Sequence, residues 1–163
     1  MSFLAKLNSG FEHLWTLPPH TTSINLDGRR LEVVNGRREF EALTAFPNLT
    51  VLSMRNCDLY NLGAIPFLPN LQTLILNDNN LLMRGCVERL VKQCPNLIKL
   101  SFADNWFGER SAFHPLMDLT KLKELDLFRN PVWERHVPQL FLLDFFHNKL
   151  ESWTVEDEVL DTY

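Results

Sequence analysis

Leucines recur at fixed intervals through the middle of this chain. Residues 49–59 read LTVLSMRNCDL, 71–81 LQTLILNDNNL, 97–107 LIKLSFADNWF and 122–132 LKELDLFRNPV. All four fit L-x-x-L-x-L-x-x-N/C-x-L, with other apolar residues admitted at the last two hydrophobic positions. First leucines lie 22, 26 and 25 residues apart, and the two leading positions are Leu in every copy. Two weaker copies flank the four, SINLD at 23–27 and LFLLDF at 140–145. The inner L-x-L of each copy alternates with period two, so it predicts a short strand whose leucines face one core. A single copy cannot bury that face alone, so neighbours must stack. The ninth position is Asn79, Asn105 and Asn130, with Cys57 in the first full copy. An inward amide carries both donor and acceptor and can satisfy backbone groups where the chain leaves the strand. These four residues are predicted to form a structural ladder.

The consensus and its period are those of leucine-rich repeats. The predicted fold is an α/β solenoid, a right-handed horseshoe of about five or six repeats with a parallel concave sheet and an N-terminal helical cap. Residues 1–20 form the cap, 21–150 the repeats with a C-terminal cap, and 151–163 a short acidic tail. In the cap, Phe3, Leu7, Phe11, Leu14 and Trp15 recur at helical spacing until Pro18 and Pro19. Cys86, Val87, Leu90, Val91 and Cys94 do the same after Asn79 and predict a convex-side helix. Leu62, Ile65 and Leu68 should point inward, and Ser111 to Leu119 should form a helical turn broken at Pro115. Pro-Asn-Leu opens the strands at Leu49, Leu71 and Leu97.

The variable strand positions point the other way, onto the concave face. The residues predicted to meet a partner there are Asn25, Asp27, Val51, Ser53, Arg55, Ile75, Asn77, Lys99, Ser101, Asp126, Phe128 and, on a last strand at 140–146, Phe146. Arg55, Lys99, Asp126 and Phe128 are anchors of the kind that dominate interfaces. Six strands at about 4.8 Å, each about 15 Å long, give a face on the order of 360 Å². A standard interface takes about 800 Å² per partner. A partner must therefore also use an edge, a tail or the loops after Asn79, Asn105 and Asn130; one helix laid across the groove fits this geometry.

Composition narrows the function classes. The chain has 163 residues, 16 basic and 20 acidic, for a net charge of −4. Residues 151–163 hold five acids and no Lys or Arg, so the rest of the chain has 16 basic and 15 acidic groups, net +1. That balance supplies no large counterion-release term, so direct nucleic-acid binding is not expected, although Arg29, Arg30, Arg37 and Arg38 make a local basic patch. Three cysteines and no signal-peptide core, since Lys6, Asn8 and Glu12 interrupt Phe3, Leu4 and Leu7, imply free thiols in nucleus or cytoplasm. No membrane contact is expected. There is no P-loop, no G-x-S-x-G and no H-E-x-x-H, and the five histidines are scattered. Asp27, Glu124, Asp126 and Asp144 would share a face, but Arg55, Lys99 and Arg129 interleave with them, which predicts a mixed solvated face and not a metal site. The sequence thus predicts a monomeric, non-enzymatic interaction module with no cofactor and no metal.

Three motifs carry a closer resemblance. Glu39-Phe40-Glu41-Ala42-Leu43, Gln93-Cys94-Pro95-Asn96-Leu97, and Pro115-Leu116 through Leu125-Asp126-Leu127-Phe128 resemble the leucine-rich domain of the acidic leucine-rich nuclear phosphoprotein family. The resemblance implies a nuclear regulatory module that binds histones, other basic proteins or a phosphatase. Five acids stand where that family carries a long acidic tail. Arg129-Asn130-Pro131-Val132, Val137-Pro138-Gln139 and Leu143-Asp144-Phe145 resemble the A-prime-type repeat proteins of spliceosomal particles. That second resemblance implies a ribonucleoprotein assembly factor gripping an RNA-binding protein through its RNA-recognition motif.

Overall fold

The computed structural model describes residues 11–31, 40–63, 65–82, 84–134, 150–154 and 159–161. Phe3 and Leu7 of the expected cap, Arg37, Arg38 and the 140–146 segment with Phe146 lie outside them.

Among the described residues, seven three-residue strands form one sheet in chain order: β1 (Ser23–Asn25), β2 (Val51–Ser53), β3 (Thr73–Ile75), β4 (Lys99–Ser101), β5 (Glu124–Asp126), β6 (Ser152–Thr154) and β7 (Val159–Asp161). β1 to β6 pair in parallel, and β7 returns antiparallel to β6. The register aligns Ile24, Leu52, Leu74, Leu100 and Leu125 across neighbouring strands, all of them buried. The next inward row, Leu26, Met54, Leu76, Phe102 and Leu127, is inaccessible to solvent. Successive repeats thus bury one continuous face that none could bury alone.

The ninth-position residues close each turn. Asn79 Oδ1 accepts the N–H groups of Cys57 (3.0 Å) and Leu59 (3.1 Å), while its Nδ2 donates to the carbonyls of Met54 and Leu76. Asn105 accepts from Leu81 N–H and donates to the carbonyls of Leu76 and Phe102. Asn130 accepts from Phe107 N–H and donates to the carbonyls of Phe102 and Leu127. Cys57 has no amide and donates its thiol to Leu26 O at 3.1 Å. A second row explains Pro-Asn-Leu: Asn70 Nδ2 donates to Pro47 O, and Asn96 Nδ2 to Pro69 O, each one repeat upstream.

One regularity was not anticipated. The residue just before the ladder position turns the chain through the left-handed region in four full repeats, at Asn56, Asp78, Asp104 and Arg129 (φ 49° to 56°), and Gly28 (φ 70°) holds the equivalent place after β1. Gly, Asn and Asp tolerate that conformation best, so three of the four full repeats and the weak one carry a compatible residue.

Outside the sheet, α1 (Arg84–Gln93) buries Cys86, Val87, Leu90 and Val91, with Cys94 just beyond it. It packs against a 3₁₀ helix at Arg110–Asp118 that contains Pro115. The expected break at Pro115 is therefore corrected: the helix runs through it. Tertiary packing outweighs the missing N–H here, because Phe113, Leu116 and Leu119 recur every three residues and are all buried, which matches a threefold helix. Phe102, Phe107, Phe113 and Trp133 continue the core as a chain of ring contacts with centroids 4.9 to 6.0 Å apart. At the other end, a 3₁₀ turn (Glu12–Thr16) buries Leu14, Phe11 meets Phe40 edge-on, and Trp15 lies exposed.

The C-terminal end differs from expectation. The place beside β5, assigned from sequence to 140–146, belongs to β6, and the acidic tail supplies both β6 and β7. Ser-Trp-Thr repeats the polar-apolar-polar pattern of Ser-Ile-Asn in β1, which suits a strand. Glu151 binds Lys123 twice, by its backbone N–H to Lys123 O and by a 2.6 Å ion pair, so part of the acidity is used against the preceding repeat.

Candidate functional site

The concave face is the outward side of β1 to β6, and strand register decides which side chains meet on it. Because β2 pairs Ser53 with Ile75, and β4 pairs Ser101 with Asp126, side chains one repeat apart in sequence become neighbours. At the β1 end, Asp27 Oδ1 accepts the Ser53 hydroxyl (2.6 Å) and Arg55 N–H (2.8 Å), and Asn25 Oδ1 accepts Asp27 N–H. In the centre, the Ser101 hydroxyl bridges the side chains of Asn77 and Asp126, the latter at 2.7 Å, while the other Asp126 oxygen accepts Phe128 N–H at 3.2 Å. Lys99 Nζ sits 2.5 Å from Glu124 Oε2. Arg129 lies over the Phe128 ring, 4.8 Å from its centroid, and 3.6 Å from Asp104.

Burial sorts the residues predicted for this face. Asn25, Asp27, Arg55 and Lys99 are exposed; Val51, Ile75, Asn77, Asp126 and Phe128 are half-buried; Ser53 and Ser101 are buried beneath their neighbours. The two serines therefore lie low in the face, at the floor beneath their neighbours. An open depression of about 290 Å³ occupies the middle, walled by Arg55, Ile75, Lys99, Ser101, Glu124, Asp126 and Ser152. Ser152 is a lining residue that the sequence reading missed, because the tail was not read as a strand.

A second missed feature lies on the loops that follow the ladder. Tyr60, Leu82 and Trp106, on three consecutive repeats, are half or more exposed at 57%, 50% and 61%. The signal was present: each is a large apolar side chain beside a consensus position, Leu59, Leu81 or Phe107, that already fills the core. The loops after Cys57, Asn79 and Asn105 thus extend apolar surface past the sheet.

Among the described residues no group of acids, histidines and cysteines is placed to hold a metal ion, and no helix is long and apolar enough to cross a membrane. Cys57, Cys86 and Cys94 are buried free thiols. Burial pushes Cys57 up to about 11, a rise that backbone hydrogen bonds moderate, and pushes Cys94 up to about 12. Such thiols hold little thiolate near neutrality and make poor nucleophiles.

Stacked parallel strands, a buried asparagine ladder and a variable open face define a repeat solenoid of the interaction-scaffold class. The chain belongs to the leucine-rich repeat family, whose model matches residues 43–153. Among solved structures it is similar to a chain of the SNF/U2A′ complex of Drosophila melanogaster, with 25% identity, a TM-score of 0.65, and coverage of 80% of this chain and 71% of that one. Similarity extends to an internalin of Listeria monocytogenes (18% identity, TM-score 0.49, 69% of this chain and 29% of that one). A tropomodulin C-terminal domain of Caenorhabditis elegans is also similar (12% identity, TM-score 0.49, 93% and 83%).

Proposed function

We propose that this chain is a non-enzymatic protein-interaction module that seats a helix of its partner across the concave sheet. The observation that carries the reading is the central depression, where an exposed cation, a half-buried aliphatic side chain and satisfied polar groups share one open wall. The loop edge of Tyr60, Leu82 and Trp106 supplies area that the sheet alone lacks, about 360 Å² against about 800 Å².

Two partner classes remain in contention. Similarity to a chain of the SNF/U2A′ complex, itself a protein assembly, favours a ribonucleoprotein assembly factor that grips an RNA-recognition-motif protein. The acidic nuclear phosphoprotein reading, with a histone or phosphatase partner, rests on the motifs at 39–43, 93–97 and 115–128. It loses support where its acidic tail should begin, because β6 and β7 are spent closing the sheet.

The test is mass spectrometry of proteins captured from native extract by wild type and by the Arg55→Glu, Phe128→Asp double variant. An RNA-recognition-motif protein captured by wild type, lost by the variant and resistant to nuclease is the expected result. A histone or phosphatase lost instead moves the assignment to the acidic phosphoproteins. Unchanged capture by a variant with the wild-type melting temperature removes the concave face as the site.

A further inference from the structure

The groove's charged groups are not equally available. Asp27 already holds the Ser53 hydroxyl and Arg55 N–H, and Asp126 holds Ser101 on one oxygen and Phe128 N–H on the other. Lys99 and Glu124 neutralise each other at 2.5 Å. The Arg55 guanidinium is the one charged side chain on this face that has no partner among the described residues. It is exposed and lines the same depression as Ile75. A basic partner meets carboxylates that already hold two donors each, both on one oxygen in Asp27 and one on each oxygen in Asp126. An acidic partner meets five unused N–H donors in a fork that suits a carboxylate.

We infer that the partner element this groove accepts is an acidic, amphipathic helix, which sets a carboxylate against Arg55 and an aliphatic side chain over Ile75. The inference rests on the concave-face reading above and adds the partner's chemistry. Ser53 and Ile75 are paired, and Arg55 lies two residues beyond Ser53 on the same face. Arg55 and Ile75 are therefore diagonal neighbours, about 7–8 Å apart. Side chains one turn apart on a helix are separated by about 5–6 Å, and the long arginine spans the difference. A helix of about 18 residues is about 27 Å long and crosses the roughly 24 Å of the sheet.

The experiment uses the full chain and a displayed library of helical peptides of about that length, randomised along one face. Enriched sequences should carry Asp or Glu one turn from Leu, Ile or Met. They should bind Arg55→Gln about tenfold more weakly, the loss of one charge-assisted contact. Selection against Arg55→Glu should yield Lys or Arg at the same place. Wild-type affinity should fall as salt rises, a readout independent of any variant's folding. Enrichment of basic or uncharged helices, indifference to Arg55→Gln, or an empty selection overturns the inference. Ile75→Ser separates the two levels. Helices that lose Ile75→Ser but ignore Arg55 sink the charge assignment and leave the groove reading intact. Helices indifferent to both sink the groove reading as well.

Discussion

Two rows of polar side chains cross this solenoid, and they are bonded in opposite ways. Asn79, Asn105 and Asn130 are buried, and their amides bond to backbone carbonyls and N–H groups of their own repeat and the one before. The groove row of Asp27, Ser53, Asn77, Ser101 and Asp126 bonds largely side chain to side chain at the edge of solvent. Removing a ladder group strands buried backbone that water cannot reach, which is costly. Removing a groove group leaves atoms that water can serve. The same turn thus holds stability on one side and a variable, solvent-edged face on the other.

The largest expected effect tests that division. Asn105→Ala should cost about 2–3 kcal/mol, because Leu81 N–H loses its partner at about 1–3 kcal/mol, while the carbonyls of Leu76 and Phe102 each lose one of two donors and keep Asn79 and Asn130. Ser101→Ala in the groove should cost about 1 kcal/mol. Urea denaturation of both variants makes the comparison, and equal losses would erase the distinction between the rows.

The buried thiols extend the comparison to pH. Cys57, the ladder's substitute, and Cys94 are raised by burial from an ordinary 9.0 to about 11 and about 12. A group whose folded value is raised contributes its full stability below the unfolded value and loses it as pH climbs toward the folded one. Wild type should therefore weaken progressively from about pH 9 to about pH 12. Cys94→Ala should lose less over that window, although its small cavity lowers stability at every pH. Urea midpoints at about pH 8 and about pH 10.5 measure the difference, and parallel alkaline losses in the two proteins would refute the assignment.

Sequence alone made the core rows, the ladder and α1 legible, because each rests on a repeated spacing that only inward packing explains. Leu52, Leu74, Leu100 and Leu125 declare themselves by recurrence. β6 did not, since Trp153 replaces leucine and the surrounding acids read as a solvated tail. Its spacing was nonetheless informative: 28 residues separate Leu125 from Trp153, as 28 separate Ile24 from Leu52. The groove was legible as a set of positions but not as a network. Which carboxylate is engaged and which cation is open depends on register and rotamer, and no local pattern encodes them.

Arg129 offers a smaller effect of opposite sign. It adopts φ 49°, where the equivalent residues are Gly28, Asn56, Asp78 and Asp104. A left-handed conformation costs a side chain like arginine about 1–2 kcal/mol. The contacts offsetting this are a 3.6 Å ion pair with Asp104 and the face of Phe128, both partly exposed and worth about 0.5 kcal/mol each. Arg129→Asn should therefore raise stability by about 0.5 kcal/mol. A lower melting temperature would mean the arginine's contacts outweigh its strain.

The smallest expected stability effect lies in the groove itself. Lys99 and Glu124 make a short ion pair, but their side chains are 47% and 42% exposed, so water and salt screen the attraction. A double-mutant cycle with Lys99→Ala and Glu124→Ala should give a coupling of about 0.5 kcal/mol or less, shrinking as salt is added. Recognition should respond more than folding does. Lys99→Ala frees Glu124 to repel an acidic helix held by Arg55, so affinity for such a helix should fall about threefold and recover in the double variant. A coupling as large as the Asn105→Ala loss would place this pair on the stability side of the turn, and the contrast between the two rows would no longer hold.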